Sequence, residues 1–164
     1  MFSVNTAQMS RFKAALSALP APATVLDVGC GACHTRDILH ALWQDATLIG
    51  VDADPTELPR QPLLQTMILC ADVCALPFCD PFDMVLCRHP DLDRHRTVWA
   101  AFFQNVRRWA RQTVLVTTYT LPEFEALSKW VGKPLAGWQE VGMANLPPAG
   151  IDGRDAWVGA WVVA

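Results

Sequence analysis

The sequence predicts an α/β protein: a doubly wound, mostly parallel sheet of seven strands that closes with a C-terminal antiparallel hairpin. Three observations carry this reading. Apolar runs of strand length alternate with helix-period segments as far as Ala126, the order that successive βαβ units produce. The stretch Thr24-Val25-Leu26-Asp27-Val28-Gly29-Cys30-Gly31-Ala32-Cys33-His34 reads as buried strand, glycine turn and helix start, the first unit of a nucleotide-binding sheet. Beyond the helix expected over 122–131 the alternation fails. Two strand-like segments, 138–144 and 155–163, follow each other with no helix between them and must pair antiparallel.

Each element has a local reason. Thr6 to Leu19 is an amphipathic helix, with Phe12, Ala15, Leu16 and Leu19 on one face and Pro20 and Pro22 ending it. The first strand covers 24–28, the next helix 34–43 and the second strand 47–51. Pro55, Pro59 and Pro62 then allow only a short or broken helix, placed around Leu58 to Gln65. Strands three and four fall at 66–70 and 82–87. Asp93 to Arg111 carries the strongest helix pattern, with Trp99, Phe102, Phe103 and Val106 on one face. Arg94, Arg107, Arg108 and Arg111 make its other side basic, which reads as a solvated face. Thr113 to Tyr119 is β-branched and forms strand five, and Pro122 sits at the first position of the helix after it.

Length and composition set bounds. The 164 residues make one domain, 1–164, with 6–19 as its N-terminal helix. Net charge is −3, so nothing supplies the basic surface that grips nucleic-acid phosphates. No apolar run is long enough to span a bilayer, and Met1-Phe2-Ser3-Val4-Asn5 does not open like a signal peptide, so a cytoplasmic protein is expected. Six cysteines include a Cys30/Cys33 pair beside His34, but Cys70, Cys74 and Cys79 lack the spacing of a second ligand pair. They are expected as free thiols in a reducing compartment, with no metal. A nicotinamide cofactor fits poorly, because the position for the third glycine of its loop is His34.

Further marks follow in order: Thr47-Leu48-Ile49-Gly50-Val51-Asp52, then Ala71-Asp72-Val73, then Phe82-Asp83-Met84-Val85-Leu86-Cys87. With the glycine turn they resemble the class I methyltransferases that use S-adenosylmethionine (SAM), over nearly the whole chain. The resemblance implies SAM as cofactor. It gives Asp52 the two ribose hydroxyls, Asp72 the adenine amino group and the Val73 backbone N–H a ring nitrogen. It turns Asp27 towards the methionine end, with Gly29 and Gly31 letting the backbone approach.

Two departures bear on activity. The third glycine of the family's turn is replaced by Cys33, whose side chain is expected in the sheet–helix interface rather than against the methionine end. After strand four the chain reads Cys87-Arg88-His89-Pro90-Asp91, not the Asn/Asp-Pro-Pro-aromatic motif of enzymes that methylate base amines. Methyl transfer asks the protein mainly for positioning, with a base only where the nucleophile must lose a proton. His89 fits that base, Asp91 could orient it and Arg88 could hold an anionic acceptor. The reading is a methyltransferase acting on a small molecule or protein; the alternative is a non-catalytic SAM-binding domain that acts as partner or sensor.

Overall fold

Alternation along the central strands decides the architecture. In β1 (Thr24–Val28) Leu26 and Val28 join one core and Val25 the other, and in β4 (Phe82–Arg88) Val85 and Cys87 oppose Met84 and Leu86 in the same way. Both faces of these strands are apolar, so each must be covered. The computed structural model describes residues 6–132, 138–145 and 157–163. On one face lie α1 (Thr6–Ser17), through Phe12 and Leu16, and α2 (Arg36–Leu42), through Leu39. On the other lie α3 (Leu92–Gln104), through Phe102 and Phe103, and α4 (Leu121–Gly132), through Phe124, Leu127 and Val131.

With β2 (Thr47–Asp52), β3 (Thr66–Cys70), β5 (Ala110–Thr118), β6 (Trp138–Asn145) and β7 (Trp157–Val163), the strand order is β3-β2-β1-β4-β5-β7-β6. The first five positions run parallel. β7 pairs antiparallel with both β5 and β6. Residues 155–156 of the expected last strand lie outside the described residues. Among the described residues no helix is long and apolar enough to cross a membrane.

Two elements differ from expectation. The helix expected over Asp93–Arg111 stops at Gln104, because the Asn105 amide donates back to the Ala101 carbonyl at 2.9 Å and closes the last turn. A 3₁₀ turn, Val106–Arg108, then buries Val106, and β5 starts at Ala110. The broken helix around Leu58–Gln65 is absent, and residues 53–65 are turns and bends. Pro55, Pro59 and Pro62 remove too many N–H donors for even one helical segment.

At the amino edge of the sheet one carboxylate ties three strands together. Asp83, nearly buried, accepts from the N–H groups of Ala23 and Thr24 at 2.8 and 2.9 Å and meets Arg111 Nε at 2.7 Å. Its own N–H donates to the Thr24 hydroxyl at 2.9 Å. Burial pushes its pKa up, but Arg111 and the two backbone donors outweigh this and hold it below the ordinary carboxylate value. The stability it adds is therefore present at neutral pH and lost as pH falls through that depressed value. Asp83→Ala should cost about 2–4 kcal/mol in urea unfolding, since it strands buried donors and a guanidinium. Ligand affinity at the opposite edge should not change.

Candidate functional site

The carboxyl ends of β1, β2 and β3 meet at one edge, where the glycine turn leaves β1. Gly29 and Gly31 have φ of 69° and 50°, the left-handed region that glycine enters without penalty. A Cβ on Gly29 would stand 3.4 Å from the Trp99 ring of α3, so the turn lies directly on that indole. Three of its N–H groups are committed to β2. Gly29 and Cys30 donate to the Val51 carbonyl at 2.8 and 3.2 Å, and Gly31 donates to Asp52 Oδ2 at 2.9 Å.

Asp52 also accepts the Asp54 N–H on Oδ1 at 2.9 Å. A carboxylate offers roughly four lone-pair sites, two on each oxygen. One per oxygen is spent on fixing the group, and one per oxygen remains for a pair of neighbouring hydroxyls. Asp72 caps the short turn Val73–Ala75 by accepting the Cys74 N–H on Oδ1 at 2.9 Å. Its side chain is exposed at the rim, while Val73 is buried below it.

Between these ends and α3 lies a cavity of about 250 Å³. Val28, Asp52, Asp72 and Val73 line it from the sheet, and His95, Val98, Trp99 and Phe102 from the helix. The helical four were not singled out as site residues from the sequence. Their spacing of 95, 98, 99 and 102 is one continuous helix face, which the sequence assigned to the core from Trp99 onward. The first turn of that face overlooks the cavity instead. At His95 α3 departs from helical geometry, with φ −125° and ψ 30°.

Asp27 lies behind the turn with 2 % exposure. The Thr35 hydroxyl, another residue not anticipated, donates to its Oδ2 at 2.5 Å. Burial raises its pKa to about 6, against the lowering effects of Thr35 and the Arg88 charge, and Asp52 repels it further. Cys33 has φ 56° and 3 % exposure and packs in the core with Val25 and Leu39, so its side chain is in the sheet–helix interface as expected. The Cys30 thiol donates to the Gly31 carbonyl at 3.6 Å, and the neighbouring Cys33 thiol, burial and the nearby Asp27 and Asp52 raise its pKa above the ordinary value.

Across the turn, β4 and β5 end together. His89 has φ 52°, donates its N–H to the Thr117 carbonyl at 3.0 Å, and stacks on Tyr119 with centroids 4.5 Å apart and planes 25° apart. Arg88 lies over the Phe12 ring at 4.3 Å. Asp91 is not placed as an orienter in the contacts observed. It caps α3, accepting the Arg94 N–H on Oδ1 at 3.0 Å, with Arg94 Nε 3.7 Å from Oδ2. Asp27, Gly29, Gly31, Asp52, Asp72 and Val73 thus gather around one turn and cavity, and Arg88 and His89 stand beside them.

A family model described as a methyltransferase domain matches residues 25–113. No curated relative matches the chain. Among solved structures it is similar to the 1,6-didemethyltoxoflavin N1-methyltransferase of Burkholderia thailandensis, with 17% identity over 98% of this chain and 80% of that one and a TM-score of 0.69. The N-methyltransferase NodS of Bradyrhizobium japonicum aligns at 13% identity over 96% and 85% of the two chains, TM-score 0.65. The plantazolicin methyltransferase BpumL aligns at 14% over 96% and 85%, TM-score 0.66. These likenesses show the fold.

The Cys33 backbone yields a stability test. Left-handed φ costs a side-chain-bearing residue roughly 1–2 kcal/mol, which glycine escapes. The usual advantage of alanine over glycine should therefore vanish here. Cys33→Gly should melt no lower than Cys33→Ala, and both should melt below the parent for want of the buried thiol. A clearly more stable alanine variant would mean that position 33 is not left-handed in solution.

Proposed function

Since the chain belongs to the methyltransferase-domain family, we propose that it is a cytoplasmic enzyme that methylates a small molecule or peptide, with residues 25–88 holding SAM and the ends of β4 and β5 receiving the acceptor. SAM supplies an activated methyl group on a sulfonium, and the protein supplies position and a path for the proton. The carrying observation is Asp52. Its carboxylate is fixed by two backbone donors and keeps one acceptor site on each oxygen, the arrangement that two ribose hydroxyls need. The residues fit the cofactor elsewhere too. The cavity between Val73 and α3 is walled by apolar groups suited to a purine, and Asp72 stands at its rim for the amino group. Gly29 and Gly31 let the turn lie close to the ligand, and the buried Asp27 behind it would supply the negative charge for the cationic methionine end, directly or through water. The strand pattern of the reading is the full seven-stranded sheet with Trp138–Asn145 as its edge.

His89 stands as the base for an acceptor that must lose a proton. Arg88 lies over Phe12 and within reach of the charge on Asp27, which suits it to the methionine carboxylate better than to an anionic acceptor. Asp91 serves α3 as its cap. All six cysteines are unpaired, as a reducing compartment would keep them. The direct test gives the protein methyl-labelled SAM and a low-mass cell extract. Labelled product supports the enzyme, whereas SAM binding without any product would favour a partner or sensor.

Asp52→Ala should weaken SAM binding by about 1.5–3 kcal/mol, tenfold or more in calorimetry. Asp91→Ala should leave affinity unchanged and cost about 1 kcal/mol of stability from the lost cap.

Asp27 makes binding depend on pH. Its folded pKa of about 6 is raised above the ordinary 3.8, so its contribution to stability is fullest below about 4 and is lost as pH rises through 6. A cationic ligand has the opposite preference, because it favours the ionised carboxylate. SAM affinity should rise roughly tenfold between pH 5 and pH 7, as the ionised fraction does for a pKa of about 6. Asp27→Asn should flatten that slope. An unchanged slope would place the titrating group elsewhere.

A further inference from the structure

Resting on the cofactor reading, we infer that His95 and Val98 of α3 form the outer wall of the purine pocket, and that the His95 imidazole donates a hydrogen bond to a ring nitrogen of the cofactor's adenine. The cavity between the sheet edge and α3 is mostly apolar, and the polar side chains that line it divide by chemistry. Asp52 and Asp72 carry carboxylates, which accept hydrogen bonds and donate none when ionised. Among the described residues that line it, only His95 and Trp99 have side chains with an N–H. Trp99 is committed to packing, for its ring stacks on Phe103 and its edge carries Gly29. His95 is exposed on the same wall. Its backbone is set before a ligand arrives. The Asp91 carbonyl accepts the His95 N–H at 3.0 Å, and Leu92, three residues earlier, is buried in the core. Neither contact involves the Asp91 carboxylate.

The edges of the ligand match this division. The ribose hydroxyls and the adenine amino group donate, and the two carboxylates suit them. The purine nitrogens N1, N3 and N7 only accept, so each one taken into the cavity needs an N–H or forfeits a hydrogen bond it made in water. In this reading the Val73 backbone N–H serves one of them. Along the sheet edge the N–H groups of Gly29, Ala71 and Cys74 are already bonded, to the Val51 carbonyl, the Asp52 carbonyl and the Asp72 carboxylate. The helix side supplies the donor for a second ring nitrogen, through His95. Val98 completes the wall. It is 50% exposed although it stands beside Trp99 and Phe102 on one apolar stripe, and a purine seated against that stripe removes its surface from water.

The test deletes the acceptor atoms one at a time. S-adenosylhomocysteine (SAH) and its 1-deaza, 3-deaza and 7-deaza analogues are titrated by calorimetry into the full-length parent and into His95→Phe, which keeps a flat ring on the wall but has no N–H. One deaza analogue should bind the parent about fivefold more weakly than SAH, the worth of one neutral hydrogen bond, yet bind His95→Phe no worse than SAH does. A loss that arises at the Val73 N–H should persist in both proteins, so the cycle separates the two donors. Val98→Ala should weaken SAH and every analogue alike, by about threefold. If no analogue loses affinity in the parent, or if each loss has the same size in both proteins, the inference is overturned and the cofactor reading stands. An SAH affinity unchanged by Val98→Ala would remove Val98 from the wall. Failure of SAH to bind the parent would instead overturn the cofactor reading, and the inference with it.

Discussion

The hydrogen bond from the Gly31 N–H to the Asp52 carboxylate is the contact on which the site depends. It joins the turn after β1 to the end of β2, and with the two bonds to the Val51 carbonyl it gives the turn one shape. The acid is thereby fixed before any ligand arrives, and ordering it on binding costs little further entropy. The same bonds have a cost in function. The N–H groups of Gly29, Cys30 and Gly31 point at β2 and are not open to a ligand, while Asp27 stands behind the turn with the Thr35 hydroxyl bonded to it.

β3 is an edge strand, and the connections from β2 to β3 and from β3 to β4 contain no α-helix to cover it, so Met67 is exposed and Leu64 bare beside it. The cavity is walled instead from α3, whose aromatic residues form one packed group. Trp99 stacks on Phe103, and Phe102 stacks on Trp109. Trp99 therefore belongs to the core on one side and carries Gly29 on the other. A change in core packing around Phe102 would be transmitted to the glycine turn through a single indole, because interiors this dense do not absorb displacement locally.

What the sequence revealed and what it hid divide along range of interaction. The strands were legible because both faces of β1, β4 and β5 are buried, and near-continuous apolar runs follow from that. The acids at their ends were legible because strand and turn are adjacent in the chain. The antiparallel β7 could be inferred from a missing helix. Contacts between distant segments were not legible. Asp83 reads as one more polar residue in a strand, yet it meets Ala23 and Thr24 across the sheet and Arg111 on the next strand. Thr35 gave no sign that it would bond to Asp27. Asp91 was read by its nearness to His89, but a side chain just before a helix finds the exposed N–H groups of the first turn more readily than a neighbour two residues back. The end of α3 was obscured because Val106 continues the apolar stripe after Asn105 has closed the helix.

Among the described residues three non-glycine residues have positive φ: Cys33, Gln65 and His89. Gln65 lies in the proline-rich connection before β3, where crowded turns leave few alternatives. The other two stand at the carboxyl edge, on either side of the same turn, and they differ in what accompanies the strain. Cys33 is buried in a core that rewards its side chain, so packing accounts for its conformation without a ligand. His89 is half-buried, its ring lies against a partly exposed tyrosine, and neither ring fills the core. Strain that packing explains says nothing about function. His89, with its backbone N–H tied to the Thr117 carbonyl, holds an imidazole at the edge where α/β sheets bind their ligands.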